Sequence, residues 1–395
     1  MRRASRRKFM AGGAAALGLA PGHLRVMGAQ DRIVLGIIGT GGRGVWLMTE
    51  ARRQGCAIGA LCDVSEMRLR WAAAQIEDRP REYEDFDALL AQEDITAVIN
   101  ATPDHWHHDV FVAAVQAGKD IYTEKPFSHT IEEGAHMLAQ ARASKCVVQV
   151  GTHRRSGSHW VRARDAIAAG AIGKLMWARV FDTRSWVRED PLAARPVEGA
   201  LNWKKFLGKA PQRPFDPHRY WAWRWYWDYS GGLMTDLGSH QFDIINWLAG
   251  TDGPKSVAAQ GGVYFFRQWE TPDIVHAVLD YGAFSAVFSA GFVNRHDGVG
   301  ARFYGTDGTL VVTDEEFYVI KENAQAPGAK SEAWPRTYEG QAHLANWLDC
   351  IRTRKEPNAP VEAANRAVNI AHAANRAYRE GRSVAWDAAA QSFAQ

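Results

Sequence analysis

Hydrophobic positions follow two regimes along this chain. In the first, short unbroken apolar runs alternate with segments of helical period. Arg32-Ile-Val-Leu-Gly-Ile-Ile38 is an apolar run rich in β-branched residues, suited to a strand buried on both faces. A helical stretch through about Arg53 follows, then strands at Ala57–Asp63 and Ile95–Ala101 and helices at His107–Ala117 and Ile131–Ser144. Val147–Val150 closes the set. Such alternation predicts a doubly wound parallel sheet ending near residue 150.

In the second regime longer strands dominate. Leu175–Thr183, Ser256–Arg267, Ile274–Tyr281 and Phe284–Gly291 have strand character, and Asp307-Gly308 within Phe303–Leu310 is a hairpin signal. Asp236, His240 and Asp243 stand at i, i+4 and i+7, so one helix face is expected to carry all three. Leu237, Ile244 and Leu248 cover another face, and Gly250 ends the helix. Gln341–Arg352 and Val361–Tyr378 are helical. Glu189–Trp227 is irregular and rich in Pro, Arg and Trp, a length that predicts a functional loop.

At 395 residues the chain holds two domains, about residues 30–150 and 151–395. The first 29 residues stand apart. Arg2, Arg3, Arg6, Arg7, Lys8 and Arg25 accompany no acid, and the apolar run Phe9–Ala20 is too short to span a bilayer. Ser5-Arg6-Arg7-Lys8-Phe9-Met10 resembles a twin-arginine export signal, so a periplasmic or otherwise exported protein with no integral membrane domain is expected. Cleavage is expected near Ala29, with retention as an anchor the alternative, because Met27 suits the site poorly. Removing those six basic residues takes the formal net charge from +3 to −3, which argues against nucleic acid as a partner. Cys56, Cys62, Cys146 and Cys350 lack C-x-x-C spacing and suit small buried hydrophobes.

The chemistry begins where the first strand ends. Gly39-Thr40-Gly41-Gly42-Arg43-Gly44 is G-x-G-x-x-G between a strand and a helix, the setting in which it binds a dinucleotide pyrophosphate. Asp63 closes the second strand at the spacing of a ribose-binding carboxylate, which favours NAD over NADP by repelling a 2′-phosphate. Thr102-Pro103-Asp104-His105-Trp106-His107-His108 lacks zinc-ligand spacing, so no metal is expected. It is instead a loop walling the nicotinamide end, with Thr102, Pro103, His105, Trp106 and His107 as cofactor contacts. Asp120-Ile-Tyr-Thr-Glu-Lys-Pro126 should deliver Glu124 and Lys125 to the same cleft, beyond a strand's carboxyl end.

Gly39–Gly44, Asp63, the Thr102-Pro103-x-x-x-His107 loop and Glu124-Lys125-Pro126, in this order, resemble the Gfo/Idh/MocA oxidoreductase family. The resemblance implies a Rossmann domain followed by an α/β domain with a mostly antiparallel open sheet. It also implies C-terminal helices that pack back across the junction, and a homo-oligomer built on an exposed sheet face. It places Lys125 at the nicotinamide–substrate junction. Gly231-Gly-Leu-Met-Thr-Asp236-Leu-Gly-Ser-His240 resembles the family's second motif, which brings Asp236 and His240 to the nicotinamide. The expected catalytic set is therefore Lys125, Asp236 and His240. His240 would be the base, oriented by Asp236, and Lys125 would stabilise the oxyanion or join the proton relay. His153, Arg154, Arg224, Trp225, Tyr226 and Asp243 are candidate carbohydrate contacts, with packing the equal alternative for the tryptophans.

Three functions compete. The first is an exported NAD-dependent oxidoreductase acting on a secondary alcohol of a sugar, its cofactor tightly held and recycled in place. The second is a redox-neutral NAD-dependent glycoside hydrolase or lyase. A non-catalytic sugar-binding protein ranks third, because Lys125, Asp236 and His240 are all present.

Overall fold

The computed structural model describes residues 32–188, 193–313, 315–322, 330–331, 333–336 and 338–394. The export-signal segment, residues 1–29, lies outside the described residues, as do 189–192 of the long loop.

The first half is built as its apolar runs require. Strands β1 (Val34–Ile38), β2 (Ala57–Cys62), β3 (Arg81–Tyr83), β4 (Ala97–Asn100), β5 (Asp120–Thr123) and β6 (Val148–Val150) form one parallel sheet in the order β3-β2-β1-β4-β5-β6. Helices α1 (Gly42–Arg53), α2 (Glu66–Ala73), α3 (Phe86–Leu90), α4 (His107–Gln116) and α5 (Ile131–Ala143) connect them. Chain order reverses between β1 and β4, so a crevice opens outside their carboxyl ends.

The second half begins with α6 (Ser158–Ala168) and β7 (Leu175–Thr183). Short helices α7 (Trp203–Leu207), α8 (Pro217–Trp221) and α9 (Gly232–Asp236) precede α10 (Gly238–Ala249). Strands β8 (Ser256–Gly262), β9 (Ile274–Asp280), β10 (Ser285–Gly291), β11 (Val299–Gly305), β12 (Gly308–Thr313), β13 (Glu316–Lys321) and β14 (Trp334–Pro335) follow. The chain finishes with α11 (Glu339–Thr353), α12 (Val361–Glu380), β15 (Val384–Asp387) and β16 (Ser392–Phe393). The sheet order is β14-β13-β12-β11-β7-β10-β9-β8-β15-β16, antiparallel except for the β7–β10 pair.

Three local outcomes differ from the apolar pattern. The strand from Ser256 stops at Gly262 rather than Arg267. Buried Asp273 accepts from the N–H groups of Tyr264, Phe265 and Phe266, and these bonds curl the chain out of the sheet. The helix expected to carry Asp236, His240 and Asp243 is two helices: α9 ends at Asp236, and α10 starts after Leu237. The tryptophan-rich stretch holds α8 and a 3-10 turn, and much of it is core. Trp225 is fully buried, stacked on Trp269 at 4.3 Å and edge-on to Phe292.

The two halves share a core through the C-terminal helices. Leu344, Trp347 and Leu348 of α11 join the apolar cluster of β1, α1 and β2. Arg354, just past α11, holds the Asp120 carboxylate at 2.6 Å. Val361, Ala364 and Val368 of α12 pack with α4 and α5, while Ile370, Ala371 and Ala374 join the second domain's core. Asn375 also donates to the Gly231 carbonyl at 2.8 Å, anchoring the start of α9. The cleft is therefore braced from behind.

Trp225→Ala is expected to cost about 3–5 kcal/mol, as for loss of a buried aromatic ring. Denaturant unfolding checks this, and a fall in sugar affinity without that loss would place Trp225 in the site instead.

Candidate active site

Glycines shape the crevice floor. A Cβ at Gly39 (φ +87°) would lie 2.6 Å from Ala101 and Thr102 backbone atoms, and one at Gly44 would lie 2.0 Å from the Gly39 carbonyl oxygen. Gly39 lets the β1 turn touch the β4 loop, and Gly44 lets α1 close onto that turn. Gly41 and Gly42 are different, because a Cβ there meets nothing within 4 Å. They line open space at the start of α1, where N–H groups and the helix dipole favour a pyrophosphate. Arg43 beside them spans to Glu124, Nε to Oε1 at 2.6 Å, with its guanidinium over Trp46.

Asp63 stands at the crevice edge. Its Oδ2 accepts from Thr40 N at 2.8 Å and Thr40 Oγ1 at 3.1 Å, and its Oδ1 accepts from Ser65 N at 3.0 Å. Burial raises its pKa despite those bonds. The carboxylate is thereby aimed at the place where a ribose would lie.

The two loops beyond β4 and β5 are tied together by His107. Its Nδ1 lies 2.7 Å from the Pro126 carbonyl and its Nε2 3.0 Å from the Thr102 carbonyl. Burial brings its pKa down to about 4, so the ring is neutral and donates its one N–H to one of these two carbonyls. His107 thus positions the cofactor loops, while Thr102, Pro103 and Trp106 line the cavity itself. His105 is turned into the core, its Nε2 2.8 Å from the Phe206 carbonyl. His108 joins Asp109 and His136 at the far side. The three histidines point three ways, and among the described residues no cluster of His, Cys, Asp or Glu is gathered for a metal.

The Lys125–Pro126 peptide is cis, and Lys125 Nζ crosses to the second domain. It donates to Asp236 Oδ1 at 2.6 Å and to the Asp236 carbonyl at 2.9 Å. An ammonium has three N–H donors, so one remains for a ligand oxygen. Burial alone would push Asp236 up, but Lys125 and Arg224 outweigh it and hold the carboxyl at about 2. Glu124 is likewise held below its usual range, because Arg43 and Lys125 outweigh its burial. A Cβ at Gly151 would lie 2.8 Å from the Glu124 carboxylate, so that glycine makes its room.

Lys125 and not His240 is therefore the partner of Asp236. His240 faces His153, ring centroids 4.8 Å apart, and its Nδ1 has no hydrogen-bond partner among the described residues. Burial and the neighbouring His153, Lys125 and Arg154 push its pKa well down, so it is a neutral imidazole. Arg224 lies over Trp223 at 4.2 Å and 3.5 Å from Asp236. Asp243 is bound by Arg155 through three contacts of 2.8–2.9 Å, away from the cavity. Arg154 packs over Trp160, and Tyr226 lies under Arg219. Of the six expected substrate contacts, His153 and Arg224 line the cavity, while Arg154, Trp225, Tyr226 and Asp243 do not.

Other residues also face the cavity: Asp104, Arg184, Trp186, Arg195, Trp221 and Trp223. Asp104 lies within the Thr102–His108 motif, and Arg195, Trp221 and Trp223 lie within the Glu189–Trp227 loop; Arg184 and Trp186 carry no local signal. The cavity measures about 1360 Å³, beyond the roughly 300–1,000 Å³ of a single small-molecule pocket, with room for a dinucleotide and a second ligand.

The family models agree with this geometry. Residues 33–152 match "Oxidoreductase family, NAD-binding Rossmann fold", and residues 164–386 match "Oxidoreductase family, C-terminal alpha/beta domain". The chain belongs to the Gfo/Idh/MocA oxidoreductase family. Among relatives, inositol 2-dehydrogenase 1 of Saccharopolyspora erythraea is 25% identical over 89% of this chain and 95% of its own. The 1,5-anhydro-D-fructose reductase of Ensifer adhaerens is 23% identical over 72% of each. A levoglucosan dehydrogenase, solved with NADH and levoglucosan, superposes with a TM-score of 0.72 at 17% identity, covering 90% of this chain and 99% of that one. That last likeness concerns the fold.

The protein is thus an NAD-binding oxidoreductase. Gly41 and Gly42 leave open space at the start of α1, and Asp63, Thr102, Pro103 and Lys125 line the same cavity. Gly41→Val should preserve the melting temperature of the cofactor-free protein, since the added atoms enter open space, yet weaken NAD binding at least tenfold by calorimetry. Equal affinity would mean that the pyrophosphate lies elsewhere.

Proposed function

We propose that this protein oxidises a secondary alcohol of a sugar or polyol and holds its NAD tightly between turnovers. The observation that carries the first half is the Lys125 ammonium, fixed by Asp236 with one N–H unspent, at the mouth of the β1/β4 crevice. The relatives' names, an inositol dehydrogenase and an anhydrofructose reductase, support a polyhydroxylated substrate. NAD, when bound, supplies the hydride acceptor. Lys125 bonds the reacting oxygen and stabilises its developing charge. His240, neutral and with no partner at Nδ1 among the described residues, presents an imidazole to the same space. Trp223 and Trp186 offer ring faces, and Arg224 offers N–H groups, to a sugar's C–H and hydroxyl groups.

The second half is supported by a strap. Residues 199–202 of the second domain cross the chain just beyond Asp63. Glu66 N donates to the Ala200 carbonyl at 2.9 Å, Ala200 N to Glu66 Oε2 at 3.0 Å, and Asn202 N to the Val64 carbonyl at 2.9 Å. Asn202 Nδ2 reaches Glu84, and Lys205 pairs with Glu84 and Asp85. A dinucleotide beneath such a strap would leave only after several hydrogen bonds open. Export through the twin-arginine motif at Ser5–Met10 fits a cofactor loaded before transport. A retained cofactor also suits redox-neutral glycoside cleavage, in which the hydride returns to the product.

Protein purified without added cofactor is expected to release stoichiometric NAD(H) on denaturation. It should also give a stable reduced-nicotinamide absorbance with one or more members of a polyol panel. Aryl-glycoside cleavage with no net reduction would favour the redox-neutral cycle, and absence of bound cofactor would end the claim of tight retention. Lys125→Ala should lower kcat by roughly 10²-fold or more, as removal of an oxyanion donor does, while cofactor stays bound.

A further inference from the structure

The site must also hold the proton that an alcohol loses with its hydride, and the residues already described do not take it easily. Lys125 spends two donors on Asp236, its Nζ 2.6 Å from Oδ1, and is committed to that ion pair. Asp236 is held ionised at about 2. His240 and His153 are buried among cations and resist a positive charge.

Building on the oxidoreductase reading, we propose that Asp104 is a further proton-exchanging residue of this site, accepting the carbinol proton during oxidation and returning it during reduction. Asp104 opens the 3-10 turn Asp104–Trp106, immediately after the cofactor loop Thr102-Pro103. It is 2% exposed, yet it lines the cavity. Ser230 Oγ donates to its Oδ2 at 2.5 Å. Ser230 precedes the Gly231-Gly232 turn that delivers Asp236, and His105 N donates to the Tyr229 carbonyl at 3.2 Å beside it. A carboxyl–hydroxyl pair thus joins the nicotinamide loop to the loop carrying the other half of the site.

The charges facing Asp104 come from three elements: Arg224 in the turn after α8, Asp236 in α9, and Lys125 beyond β5. Burial raises Asp104 most strongly and Asp236 adds to it, while Ser230, Arg224 and Lys125 oppose; the result is about 7. The histidines on its own segment, His105 and His107, are neutral and turned toward the carbonyls of Phe206 and Pro126. Asp236 is held charged and His105 and His107 neutral, which leaves Asp104, lining the cavity and bonded to Ser230, as the carboxyl placed to exchange a proton. The step balances: the carbinol C–H gives its hydride to the oxidised cofactor, the O–H gives its proton to the Asp104 carboxylate, and a ketone remains. Reduction reverses each transfer.

The test compares holoenzyme with Asp104→Asn and Ser230→Ala. Difference infrared spectroscopy of the wild type should show a protonated carboxyl band titrating near pH 7, absent from Asp104→Asn. Ser230→Ala removes a bond that favours the carboxylate, so its midpoint should rise. Alcohol-oxidation kcat should increase with pH across the same range in the wild type, because the carboxylate is the acceptor. In Asp104→Asn kcat should fall roughly 10²-fold or more and lose that limb. An Asp104→Asn enzyme with the wild-type pH profile overturns the proposal while leaving the oxidoreductase reading intact. A wild type that reduces no bound cofactor with any polyol overturns the reading itself. Should the asparagine variant not fold, an unmoved limb in Ser230→Ala overturns the proposal by itself.

Discussion

The buried ion pair between Lys125 and Asp236 is the constraint on which the site depends. Each charge loses most of its hydration there, a cost of several kcal/mol per ion unless geometry and added hydrogen bonds offset it. The protein offsets it twice over: Lys125 also donates to the Asp236 carbonyl, and Arg224 adds a second cation beside the carboxylate. Because Lys125 belongs to the first domain and Asp236 to the second, the pair also fixes how the halves of the crevice meet. Its neighbour Glu124 is tied by Arg43 to the glycine turn, so pyrophosphate loop, lysine and acid form one connected set of charges.

That set tolerates little slack, and the packing around it supplies the rigidity. α12 presents one face to α4 and α5 and another to the second domain's core, and Asn375 holds the Gly231 carbonyl at the start of α9. α11 completes the apolar cluster behind β1 and β2. The strap at residues 199–202 braces the opposite rim beside Asp63. A cavity of this size, lined from both domains by Trp, Arg and buried carboxyls, offers a few fixed polar groups against apolar walls.

Electrostatics sort the ionisable residues by role. Asp236 and Glu124 are surrounded by cations and stay charged, whereas the buried histidines beside the same cations stay neutral. Asp104, where burial outweighs Ser230, Arg224 and Lys125, falls between them. One cavity therefore holds fixed charges, neutral donors and acceptors, and a group free to titrate, which is what reversible alcohol oxidation requires.

The sequence by itself determined the parallel sheet and its cofactor end. Unbroken apolar runs, glycines at fixed spacing and an acid closing the second strand are local signals, since each reports a backbone or burial requirement met within a few residues. Glu124 and Lys125 were legible for the same reason, standing just past a buried strand. The tertiary structure decided the rest, because pairing across domains leaves no periodic trace. Helical spacing joined Asp236 to His240 and Asp243, but the helix breaks at Leu237, Lys125 takes Asp236 as its partner, and Arg155 holds Asp243 away from the cavity that Asp236 and His240 line. Trp225 and Tyr226 have the composition of a sugar platform and became core, while Arg195 and Trp223 of the same loop, and Trp186 before it, face the cavity. Composition counts the rings and charges a site could use; only packing decides which of them face the cavity.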